Sequence, residues 1–108
     1  MTSMTEQIII FDVKRDDGQT IPAKIHLVYP LGEAYSIRIE RTIEGSDIPY
    51  VNIVFIEKTL TGEYVLINED LAPLAVVRDN NELVNVLRDV VLPKYDGDLV
   101  ERIEVWVA

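Results

Sequence analysis

Apolar and polar residues alternate along most of this chain with the period of two that a half-buried β-strand requires. The cleanest case is residues 34 to 43. Tyr35, Ile37, Ile39 and Ile43 fall on one side and Ser36, Arg38, Glu40 and Thr42 on the other, which predicts an antiparallel strand with one solvated face. Residues 20 to 29 repeat the pattern, with Ile21, Ala23, Ile25, Leu27 and Tyr29 expected inward. Two further segments are apolar on both sides. Residues 6 to 14 set Ile9, Phe11 and Val13 against Ile8 and Ile10. Residues 50 to 58 set Val51, Ile53 and Phe55, expected inward, against Val54 and Ile56. A short fifth strand is predicted at 63 to 68, and Leu74 to Val77 reads either as a strand or as a lead-in to the next element. The last strand covers residues 99 to 107, with Leu99, Ile103, Val105 and Val107 on one side and Val100, Arg102, Glu104 and Trp106 on the other. Asp16-Asp17-Gly18, Pro30-Leu31-Gly32, Glu44-Gly45-Ser46-Asp47, Thr61-Gly62 and the stretch from Lys94 to Asp98 supply the connections.

The period changes after Asp79. At about 100° per residue, Leu83, Val84, Val86, Leu87, Val90 and Val91 share one side, while Glu82, Asn85, Arg88 and Asp89 share the other. This predicts the one long helix of the chain over residues 80 to 92, packed through Leu83, Val86, Leu87 and Val90. Asp79 is the expected N-cap, with Glu82 three residues on completing a capping box. Pro93 is expected to end the helix. Valine is a middling helix former, so the stripe must be held by packing on a sheet.

The sum is an α+β domain: a mainly antiparallel, five- to six-stranded sheet with one amphipathic helix on one face and a C-terminal strand. Residues 6 to 108 form that single domain, behind a disordered tail at 1 to 5. One helix cannot cover both faces of such a sheet. The doubly apolar first and fourth strands therefore require either that the sheet curls or that a partner subunit covers the open face.

Composition agrees. Ile and Val make up 27 of 108 residues, and stiff β-branched side chains suit a pleated surface. There is no cysteine, which removes disulfides, thiolate ligands and thiol chemistry together and fits a reducing compartment. No basic run precedes the apolar stretch Ile8 to Phe11, which is too short for a signal core or a membrane span. The expectation is a soluble, cytoplasmic protein with no membrane partner. Nineteen acidic residues against ten basic ones give a formal charge of −9, which disfavours direct contact with nucleic acid.

The chemistry-bearing residues are few. The single histidine, His26, alternates onto the outer side of the second strand and reads as an ordinary exposed strand residue, so a Ser-His-acid triad has no base to use. A zinc site lacks ligands. Asp16-Asp17-Gly18 and Asp96-Gly97-Asp98 are acidic turns without the spacing of a calcium loop. Asp12-Val13-Lys14 matches the acid-x-Lys element of metal-dependent nucleases, but chance supplies such a tripeptide here and no preceding strand offers the second acid. The five glycines stand singly, and no phosphate-binding loop occurs. No catalytic residue, cofactor or metal is expected.

What goes beyond packing is the last strand. Trp106, the one tryptophan, shares its charged side with Arg102 and Glu104, and these three are the expected interface residues. Because this strand closes the chain, it is expected at or near a sheet edge, where unpaired backbone groups template a second chain. The functional expectation is a small acidic protein-binding module, an adaptor or inhibitor-like partner, forming a homodimer. Two alternatives stand beside it. One is an acidic nucleic-acid mimic that inhibits a DNA- or RNA-binding protein. The other is a ligand binder or enzyme with a pocket assembled from distant Asp, Glu, Tyr and Arg residues.

Overall fold

A computed structural model describes residues 7–29, 31–43, 45, 47–94 and 100–107, with residues 43 and 100–106 described by their backbone alone. The protein is α+β. Among the described residues seven strands lie in the spatial order β1-β2-β7-β3-β4-β5-β6: β1 (Gln7–Lys14), β2 (Thr20–Leu27), β3 (Ser36–Ile43), β4 (Tyr50–Lys58), β5 (Tyr64–Ile67), β6 (Pro73–Val77) and β7 (Val100–Val107). Two antiparallel groups, β1–β2 and β3 to β6, are each laid down in sequence order by short turns. β7 joins them, parallel to β2 and antiparallel to β3. Both backbone edges of this strand are thus paired. That corrects the expected edge position: β2 and β3 follow one another in sequence but leave a gap that the returning chain fills. The stretch from 69 to 77, ambiguous in sequence, resolves into the loop Asn68–Ala72 followed by β6. The Asn68 Oδ1 accepts hydrogen bonds from the backbone N–H of Asp70 and Ala72, both at 2.9 Å, and Leu71 takes φ 63° at the tip.

The helical segment is α1 (Asn80–Val86), a π turn (Leu87–Val91) and a 3₁₀ turn (Leu92–Lys94). Its start follows the sequence reading. Asp79 accepts a hydrogen bond from the Glu82 N–H at 2.9 Å, and Glu82 accepts one from the Arg78 N–H at 3.0 Å. Asp79→Ala is expected to cost about 1 kcal/mol in a urea titration. An unchanged midpoint would show that the cap adds nothing to what packing already provides.

The second half departs from expectation. The Leu92 N–H bonds the Leu87 carbonyl, five residues back, so the turn is wider than an α turn and the inward stripe shifts. Leu83, Leu87, Val91 and Leu92 are buried, whereas Val90, expected inward, is 36% exposed. Pro93 does not end the helical path but sits in the closing 3₁₀ turn, where a missing N–H costs little.

α1 packs beside β6 and the π turn beside β1, which are the two outermost strands. Laid flat, seven strands would hold those edges about 29 Å apart. The helical segment rises about 22 Å and reaches from one edge strand to the other across the inner face. The core of that face joins Val13, Ile25, Ile37, Ile39, Val54, Leu66 and Val77 to Leu83 and Leu87, all essentially inaccessible.

Three strand-face expectations are corrected. On β4, Val54 and Ile56 are buried, while Val51 and Phe55 are 40% and 42% exposed, the reverse of the sequence reading. Both sides of β4 are apolar, so its own pattern does not choose. The β3 register does, because Ile37 lies opposite Val54 and carries it inward. Tyr29 and Tyr35 are exposed because each lies just outside its strand, beyond the pleat that would turn it inward. His26 is buried, not exposed. It stands on the outer face between Ile8 of β1 and the β7 backbone at Trp106, and strands on both sides limit access to its ring. The predicted tail at 1–5, Ile43 as an inward side chain and the acidic turn at 96–98 lie outside the described residues and side chains.

Candidate functional site

The face opposite the helix is assembled row by row, since residues in register across neighbouring strands share a face. One row runs Ile10, Lys24, the β7 position of Glu104, Glu40 and Val51. The next runs Ile8, His26, the β7 position of Trp106, Arg38 and Ile53. A third sets Phe55 between Ser36 and Ile67. The backbone therefore carries two of the expected interface residues, Trp106 and Glu104, along the middle of this face, and Arg102 lies opposite Thr42 on the same strand. Their side chains lie outside the description.

This outer face keeps large apolar side chains in water. Ile10 is 71% exposed and Ile8 50%, on β1. Val76 is 53% exposed on β6, in register with Val65, and Val51 and Phe55 stand out from β4. These are the second sides of the strands whose sequences are apolar on both. The sequence reading detected the surplus but assigned part of it to the core. Among the polar groups, the Arg38 guanidinium lies 3.0 Å from the Glu40 carboxylate, a same-strand pair worth little while exposed. Besides the β7 positions of Arg102 and Glu104, the other charged side chains described on this face are Asp12, Lys14, Lys24 and Glu57. Described side chains thus contribute three charges of each sign, and the excess of negative charge lies elsewhere.

A pocket of about 200 Å³ lies between the end of the helical segment and the β5–β6 hairpin, lined by Asn68, Leu74, Val91 and Lys94. The Asn68 carbonyl is already committed to the hairpin and Lys94 is exposed, so among the described residues the lining offers no pair of groups suited to exchanging a proton. Asp89 is held below the ordinary carboxylate range because the Arg88 guanidinium hydrogen-bonds it, at 2.9 and 3.0 Å. Both side chains lie on the solvent side of the helix, where the pair is a surface contact. Among the described residues no group of three or more His, Asp or Glu side chains is placed to hold a metal ion, and no described helix is long and apolar enough to cross a membrane. Comparison with protein-family models, with curated proteins and with solved structures finds no match.

Proposed function

We propose that this protein is a small acidic protein-binding module, an adaptor or inhibitor-like partner, that acts through the outer face of its sheet. The supporting observation is the set of large apolar side chains standing exposed there, Ile8, Ile10, Val51, Phe55 and Val76. The helix and loops already fill the inner face, so these side chains add nothing to the core. Exposed apolar surface on one face marks interaction sites more often than scattered surface residues do, and an aromatic ring such as that of Phe55 is a usual anchor.

The test is affinity capture from the native host with the tagged full chain and a Phe55→Lys variant, partners being quantified by mass spectrometry. Phe55 is already half in water, so the lysine is expected to leave stability within about 1 kcal/mol while reducing recovery of the specific partners at least about tenfold, the scale of an interface anchor. Equal recovery by a folded variant would move the binding surface elsewhere.

A further inference from the structure

We infer that the pocket between the end of the helical segment and the β5–β6 hairpin binds a small carboxylic acid with a short apolar chain. Two breaks in regular structure build this pocket, and each re-aims one lining side chain. Leu66 of β5 pairs with Ala75 of β6 but Ile67 pairs with Pro73, so Leu74 is the extra residue of a β-bulge. Strict alternation would set Leu74 beside Val76 on the outer face, where Val76 is 53% exposed. The bulge instead turns Leu74 onto the core cluster. In the helical segment, the five-residue bond from Leu92 to Leu87 widens the turn and carries Val91 inward. Irregularities of both kinds recur beside functional sites, because they trade regular pairing for the aim of one side chain. Here the two meet at one cavity of about 200 Å³.

The polar groups of the lining select the ligand. The Asn68 Oδ1 accepts the backbone N–H groups of Asp70 and Ala72, both at 2.9 Å. That orients the amide and leaves its Nδ2 to donate. Lys94 ends the 3₁₀ turn and brings an ammonium, which can only donate. Among the described residues neither group has an acceptor. Leu74 and Val91 supply apolar wall. Two donors, one of them charged, beside an apolar wall match an anion at one end of an apolar body. A carboxylate meets that description, whereas a cation would face Lys94. The volume equals that of about seven liquid waters, which limits the chain to about five carbons beyond the carboxyl. The formal charge of −9 disfavours anions at long range, but at physiological salt that field fades over about 8 Å. At the pocket wall the described charge is that of Lys94. Glu69, next to Asn68 in the chain, spends its carboxylate on the Ile53 N–H at 2.6 Å.

The test is titration of the full ¹⁵N-labelled chain with sodium hexanoate, followed by ¹H–¹⁵N correlation spectra against matched sodium chloride. Saturable shifts in the millimolar range, the scale for so small a ligand, are expected at the Asn68 side-chain N–H pair. They are expected also at the backbone N–H groups of Leu74, Val91 and Lys94. Hexanol carries the same chain without the charge and is expected to bind at least about tenfold more weakly. Lys94→Glu reverses the charge at an exposed position and is expected to weaken hexanoate at least about tenfold. Lys94→Arg keeps the charge and is expected to hold hexanoate within about threefold of the wild type. No saturable shift through the millimolar range would overturn the site, as would shifts confined to other parts of the chain. Hexanol binding as tightly as hexanoate would leave an apolar cavity and overturn the carboxylate, as would unchanged hexanoate affinity in Lys94→Glu.

Discussion

Leu87→Asp is expected to remove most or all of the stability of this protein. Leu87 is fully buried and stands where α1 passes into the π turn, its N–H reaching the carbonyls of Leu83 and Val84. It belongs to the cluster that includes Ile25, Ile39 and Val54 from three strands. Truncating a leucine in such a site costs about 2–5 kcal/mol, because the surroundings cannot close the cavity. The carboxylate adds the cost of burying a charge with no partner, or of protonating it. A loss of at least about 4 kcal/mol is therefore expected, against about 5–15 kcal/mol for a whole domain. Urea unfolding followed by far-ultraviolet circular dichroism measures it. A midpoint equal to that of the wild type would mean that this face of the helical segment does not meet the sheet.

Strand positions were legible because each strand carries its own pattern. β2 and β3 read correctly at Ile21, Ala23, Ile25, Leu27, Ile37 and Ile39, where apolar residues alternate with polar ones. The helix start was equally local, since Asp79 and Glu82 satisfy backbone groups within their own turn. The rest depended on contacts between distant residues. β4 offers apolar residues on both sides, and its face was settled only by pairing with β3. The central place of β7 follows from pairing with β2 and β3, two successive strands far back in the sequence, which no property of residues 100–107 announces. The same holds for the candidate site. Trp106, Arg102 and Glu104 were singled out on one strand, and that strand does run along the middle of the outer face. Ile10 and Phe55, far apart in sequence, join the same face only through the register of the strands between them. The burial of His26 was hidden for the same reason, since alternation gives the side of a sheet but not what else stands on that side.

The widened turn makes the second large effect a contrast between adjacent valines. On a regular α-helix, with Leu83 at the centre of the inward stripe, Val90 would lie about 20° from it and Val91 about 80°. The α register therefore expects Val90 to be the core residue. In the structure the order is reversed: Val91 is 4% exposed and Val90 36%. The five-residue bond from Leu92 to Leu87 inserts the extra backbone that carries Val91 inward and turns Val90 toward solvent. Val91→Asp is thus expected to cost about 3 kcal/mol or more, by loss of packing and burial of a charge. Val90→Asp is expected to cost no more than about 1 kcal/mol, as for a partly exposed site with no cavity to leave. The same urea titration reads both variants. Equal losses, or a larger loss at Val90, would return the segment to regular α-helical register and move the inward stripe back to Leu83, Val86, Leu87 and Val90.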